Sequence, residues 1–157
     1  MSLDAPQTHA IDGSPFRIGI AAARFNERLV DGMLARVVAG LQAAGVSETN
    51  IATIRVPGSH EVPWAAQALA VGGQYDCVIG LGVLIAGDTN HHEMVGDSVS
   101  HALQQVALAT RVPAINGVIV VHSLAQAEAR TVGPIDRGAE FAAAALEMAA
   151  LKRKFSR

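Results

Sequence analysis

Four parallel strands between two layers of helices, a three-layer α/β sandwich, is the fold this sequence predicts. Three observations predict it. Short continuous apolar runs alternate with longer segments of helical periodicity, as in parallel strands joined by crossover helices. Half of the residues are hydrophobic, mostly Ala, Val, Leu and Ile, and only 4% are aromatic, a composition suited to tightly stacked layers. The 157 residues show no linker and no internal repeat, which fits one domain with a real core.

Each element follows in order. Residues 1–15, MSLDAPQTHAIDGSP, have no periodicity and are read as an N-terminal arm, with residues 16–157 as the domain. Phe16 to Ala22 is the first strand, broken by Arg24-Phe25-Asn26. Leu29, Val30, Met33, Leu34, Val37, Val38 and Leu41 recur at spacings of three and four, a helix that stops near Gly45. Asn50 to Val56 is the second strand, ended by Pro57-Gly58; Ser59-His60-Glu61 leads into a helix reaching about Val71, terminated by Gly72-Gly73. The third strand is the unbroken run Cys77 to Ile85. Ala86-Gly87 then gives a flexible step, Asp88 and Thr89 are candidate caps, and from Val95 apolar residues recur at helical spacing. Pro113 to Val121 is the fourth strand. A short helix at Ser123–Thr131, a turn at Gly133-Pro134-Ile135-Asp136 and an Ala-rich helix to about Lys152 complete the chain.

Strands that alternate with helices pair in parallel through right-handed crossovers. A flavodoxin-like strand order, 2-1-3-4, is therefore expected, with ligands bound outside the carboxyl ends of the strands where the order reverses. Those ends carry Phe25-Asn26, Ser59-His60-Glu61 and Leu84 to His91. A net charge of -2 argues against nucleic acid as a partner. The run Lys152-Arg153-Lys154 suits a helix end, where cations complement the dipole. No apolar run is long enough to span a membrane, and the acidic start lacks a signal-peptide pattern, so cytoplasm is the expected compartment. The single cysteine, Cys77, sits inside an apolar strand and is read as a core residue.

Several side chains at the expected site admit two readings from the residues alone. Phe25 is a stacking platform for a flat ligand or a plug beneath a helix. Glu61 accepts hydrogen bonds from ligand hydroxyls or simply complements a helix dipole. His91 is a proton shuttle or a capping histidine. Arg130 forks onto a phosphate or carboxylate, or is a favourable charge in a last turn. His91-His92-Glu93 does not converge on one point and has no third ligand at metal spacing, so zinc is not expected. Free N–H groups at the helix start near Asp88-Thr89 attract anions, with the Thr hydroxyl as a further donor.

Read together, these motifs resemble a family. Ala23-Arg24-Phe25-Asn26, Val56-Pro57-Gly58-Ser59-His60-Glu61-Val62-Pro63 and Gly82-Val83-Leu84-Ile85-Ala86-Gly87-Asp88-Thr89-Asn90-His91 are similar to motifs of 6,7-dimethyl-8-ribityllumazine synthase. Gln126-Ala127 through Arg130 and Ala145-Leu146-Glu147-Met148 match in the same order, so the resemblance covers roughly residues 16–151. It implies a condensation of 5-amino-6-(D-ribitylamino)uracil with 3,4-dihydroxy-2-butanone 4-phosphate, the penultimate step of riboflavin synthesis, with no metal or organic cofactor. It further implies that Phe25 stacks on the pyrimidine and that Asn26, Ser59, His60 and Glu61 line the substrate site, Glu61 holding ribityl hydroxyls. Backbone groups at Leu84 and Ile85 would read the pyrimidine edge. Gly87, Asp88 and Thr89 would cradle the phosphate, with Arg130 lent by a neighbouring subunit, and His91 would move protons. Asn116 and Arg137 are expected beside the substrate.

The sequence departs from the usual pattern at several of these positions. His60 stands where Phe is common, Ala86 where an Arg is frequent, and His92 and Asn116 where aromatics often stand. Arg137 replaces a common Lys, keeping the charge but not the shape, and the turn at residues 133–138 is about one residue short. The resemblance implies a pentamer with sites between subunits, or a decamer or a hollow sixty-subunit capsid. The third helix is expected to line a subunit interface, with Val95, Val99, Ala102 and Val106 on one stripe and Ser98, His101 and Gln105 on others. The same departures also suit a non-catalytic relative, a flavin- or lumazine-binding or shell-forming protein, and turnover separates the two. An ordinary nucleotide-binding module would want a Gly- or Ser/Thr-rich loop after the first strand, and Arg24-Phe25-Asn26-Glu27 is a poor one.

Overall fold

The computed structural model describes residues 4–156; residues 1–3 of the expected arm, and residue 157, lie outside the described residues. Strand β1 (Ile18–Ala23) is buried along its whole length. Successive side chains of a strand point to opposite faces, so Ile18, Ile20 and Ala22 enter one core while Ala21 and Ala23 enter another. Strand β3 (Cys77–Ile85) divides likewise, with Ile79, Leu81 and Val83 on the first face and Val78 on the second. Burial on both faces is why these two runs are apolar without alternation.

Helices α1 (Glu27–Ala43) and α5 (Arg137–Phe155) cover the first face, through Met33, Val37, Leu41, Phe141, Ala145 and Ala149. Helices α2 (Val62–Val71) and α3 (His91–Thr110) cover the second, through Val62, Ala66, Leu69, Val99, Leu103 and Val106. The short α4 (Leu124–Thr131) starts at Ser123, whose hydroxyl accepts the Gln126 N–H at 3.2 Å. With β2 (Ile51–Val56) and β4 (Ala114–Val121) the sheet is parallel throughout, in the order β2-β1-β3-β4. Ile18 stands opposite both Ile51 and Cys77, and Val78 opposite Ala114. The connections from β1 and β3 therefore leave in opposite directions, and a crevice opens at the carboxyl ends of these two strands.

The expected four-stranded order is the one observed, and the differences are local. β1 begins at Ile18 rather than Phe16, and α5 continues past Lys152 to Phe155. The expected caps of α3 are corrected. The helix starts at His91 behind Asn90, which makes no side-chain capping bond. Thr89 Oγ1 takes the His91 N–H, at 3.4 Å, because residues 86–90 form a loop between β3 and the helix instead of turning directly into it. The valine stripe of α3 also has a different place, since Val99 and Val106 are buried against the sheet and Ser98, His101 and Gln105 face outward.

At the far end of the sheet a carboxylate ties three segments together. Asp76, 7% exposed, accepts from Arg153 Nε at 2.8 Å, from Arg153 Nη2 at 3.0 Å and from the Arg17 N–H at 2.8 Å. Burial pushes this carboxyl up, but the hydrogen bonds of Arg153 and Arg17 and the charges of Arg153 and Lys152 outweigh it and hold it below the ordinary range. The neighbouring Cys77 is fully buried, and burial drives its thiol far above the usual value, which makes it a core residue without nucleophilic character. Among the described residues no helix is long and apolar enough to cross a membrane.

Candidate active site

The loop after β1 is built to display an aromatic ring. Pairing with the β2 side runs on for two residues past the strands, through Arg24 N–H to Val56 O at 2.8 Å and Phe25 N–H to Pro57 O at 3.1 Å. Asn26 then turns the chain in the left-handed region, φ 56°, which Asn tolerates better than most residues. Its side-chain amide donates to Val83 O at 2.8 Å, anchoring the loop to β3. Phe25 is left 72% exposed, so a plug beneath a helix is not its role in the folded chain.

Across the crevice, a 3-10 turn (Ser59–Glu61) precedes α2. The N–H of Gly58 donates to Glu61 Oε2 at 2.9 Å, which fixes the carboxylate and leaves its second oxygen for other donors. Ser59 is 4% exposed and sits tight against Gly82, where an added Cβ would lie 2.3 Å from Ser59 Oγ. Only glycine on β3 lets this turn come so close to the sheet.

The third wall is the loop after β3 together with the first turn of α3. Among the described residues, the N–H groups of Gly87, Asp88, Thr89 and His92 have no acceptor within the chain. A group of free N–H donors beside a helix N-terminus attracts anions. His91 opens the helix and is exposed, one residue from this loop.

These walls enclose a cavity of about 460 Å³. It is lined by Phe25, Asn26, Gly58, Ser59, His60, Glu61, Val83, Leu84, Ile85, Gly87, Thr89, His91, His92 and Val95. The expected residues of three separate segments thus meet in one place. Asp88 is exposed and does not line the cavity. Asn116, Arg130 and Arg137 do not reach it either. They frame a different hollow of about 280 Å³ with Val118, Val120 and Phe141. There Arg130 Nη1 donates to Gln126 O at 3.0 Å, and the Arg137 guanidinium lies 5.5 Å from the centre of the Phe141 ring.

Four lining residues, Gly58, Val83, His92 and Val95, were not among the expected ones, and of these only His92 carries a titratable side chain. His92 is 8% exposed and packs edge-on against His122, ring centres 6.1 Å apart. The signal for it was present, since His92, Val95 and Val99 continue the inward stripe of α3 by one turn.

A family model described as 6,7-dimethyl-8-ribityllumazine synthase matches residues 15–153. Proteins of that name are similar over nearly the whole chain. One from Polaromonas sp. strain JS666 is 42% identical over 144 residues, 92% of each chain. One from Paracidovorax citrulli is 40% identical over 93% of each, and one from Xanthomonas oryzae pv. oryzae is 43% identical over 84% of this chain and 86% of its own. This chain belongs to the 6,7-dimethyl-8-ribityllumazine synthase family. The positions expected to depart from the family's usual pattern fall into distinct places. His60 and His92 line the cavity, Asn116 lies at the other hollow, and Ala86 begins the loop with its N–H on Val121 O at 2.9 Å.

Proposed function

We propose that the cavity joins 5-amino-6-(D-ribitylamino)uracil to 3,4-dihydroxy-2-butanone 4-phosphate, giving 6,7-dimethyl-8-ribityllumazine with loss of phosphate and water. The observation that carries this reading is the meeting of an exposed ring, a fixed carboxylate, free N–H donors and an imidazole in one cavity of a chain of this family. The Phe25 face stacks on the pyrimidine. Glu61, with Asn26, Ser59 and His60 around it, receives the ribityl hydroxyls, and main-chain groups at Leu84 and Ile85 meet the edge of the ring. The N–H groups of Gly87, Asp88 and Thr89 hold the phosphate, so Asp88 contributes main chain, not its carboxylate.

The chemistry then needs little beyond position and protons. The pyrimidine amine attacks the ketone carbon, a water leaves and a C=N bond remains. Loss of a proton from the neighbouring carbon lets the C–O bond to phosphate break. The second amine closes the ring as a second water departs. His91, beside the anion loop, gives and takes protons in these steps. Holding two reactants in contact supplies much of the rate, so a single side chain carries only part of it.

Arg130, Arg137 and Asn116 complete the site from a neighbouring copy, in a ring that sets the other hollow of one subunit against the cavity of the next. In support, α2 and α3 present exposed apolar side chains to the outside, Trp64 and Leu108 at 75% and Met94 at 61%. The ring is a pentamer, alone or built into larger shells, working in the cytoplasm. The test mixes purified protein with both substrates and follows lumazine fluorescence above the uncatalysed rate. Turnover that falls in His91→Ala and Arg130→Ala supports the reading; a parent with none is a non-catalytic relative.

A further inference from the structure

Among the described residues, the buried side-chain atoms without a hydrogen-bond partner are Arg55 Nε, Ser59 Oγ and both ring nitrogens of His92. Two of these residues stand in the wall of the same cavity. The Glu93 carboxylate comes to 3.9 Å from His92 Nε2, beyond hydrogen-bonding reach, and the His122 ring, at 77° to that of His92, makes no hydrogen bond with it. Burying a ring N–H without an acceptor is unfavourable by the full desolvation of that group. A hydrocarbon ring would fill the same space without that penalty. The N–H groups of Gly87, Asp88, Thr89 and His92 itself are also without acceptors. Gly87, Thr89 and His92 line the same cavity, so main-chain donors and an unpaired imidazole border one space, an arrangement that suits an anion's several oxygens.

We propose that His92 is a binding residue for the phosphate-bearing reactant, donating a ring N–H to a phosphate oxygen seated on the 87–89 loop and the start of α3. Rotation about Cβ–Cγ, a broad two-fold torsion, turns one ring nitrogen from the wall to the anion. The inference rests on the condensation reading and deepens it. His92 helps select a phosphorylated four-carbon reactant over its unphosphorylated counterpart.

The test compares the parent with His92→Phe and His92→Gln, measuring calorimetric affinity for inorganic phosphate and KM for each substrate. His92→Phe is expected to weaken phosphate about tenfold and raise KM for the phosphoester similarly, with KM for the pyrimidine within about twofold and most of the loss restored by His92→Gln. Phosphate affinity unchanged in His92→Phe, equal rises in both KM values, or no recovery with glutamine overturns it, because a packing role predicts those results. Should the phenylalanine variant fail to fold, His92→Met takes its place as the apolar replacement. His92-dependent phosphate binding without lumazine formation refutes the condensation and keeps the anion site. Turnover with His92-independent phosphate binding does the reverse.

Discussion

Phe25 lies two residues past a fully buried strand and yet shows most of its surface to solvent, a placement with no packing rationale inside the chain. Removing the ring tests whether it is a stacking surface. Stacking on an aromatic side chain contributes about 1–3 kcal/mol per base, so Phe25→Ala should raise KM for the pyrimidine about tenfold or more. KM for the phosphoester should stay nearly constant, and steady-state kinetics with each substrate varied in turn gives the split. His91→Ala should instead act on kcat. Positioned proton transfer is worth about 10²-fold or more, and the drop should come with melting temperature unchanged, because His91 is exposed. His92, its neighbour in sequence, points into the wall, so adjacent histidines on one helix have unlike environments. The residue types alone did not distinguish them, whereas the helical period places His92 inside.

The strands were legible because both faces of β1 and β3 are covered, which leaves an unbroken apolar run; Cys77–Ile85 has the ends that the run marks. The start of α3 was not legible. Asp88 and Thr89 have the chemistry of caps, but where the chain leaves the strand decides whether a polar side chain meets a helix N–H. Close approach is likewise invisible until layers are stacked. Gly82 gives a direct test: in Gly82→Ala the new Cβ lies 2.3 Å from Ser59 Oγ. The Ser59 hydroxyl must swing away and its Cβ, 3.2 Å off, must give, with a loss of about 1–3 kcal/mol and a raised KM for the pyrimidine, measured by thermal unfolding and kinetics. The opposite sheet end makes a pH prediction. Asp76 has a folded-state titration below its ordinary 3.8, so its stabilisation is fully present above that value and fades as pH falls through the folded one. Asp76→Asn should lower stability by about 1–2 kcal/mol at neutral pH, a modest figure because Arg153 is half-exposed. The gap between the two melting curves should close below pH 3.8.

At the scale of the whole molecule, the expected site residues fall into two groups, one around the cavity of Phe25 and His91 and one around the hollow of Arg130 and Arg137. Residue type and sequence order carry no information about this division; only the resemblance, which lends Arg130 from a neighbouring subunit, points to it. A single chain can bind with one group or the other. A site that needs both must be made by two copies, and that has a consequence single-variant kinetics do not reach. His91→Ala and Arg130→Ala damage different groups, so each variant alone has every site impaired. Unfolded together in equal amounts and reassembled, they form mixed rings in which some cavities with an intact His91 face a neighbour with an intact Arg130. Random assortment makes roughly a quarter of the sites whole, and lumazine formation should recover to about that share of the parent rate. Mixing the folded variants without reassembly should recover nothing while subunits do not exchange. Failure of the reassembled mixture to exceed its parts, with light scattering showing intact rings, would place Arg130 and His91 in the service of the same copy and dissolve the argument for a shared site.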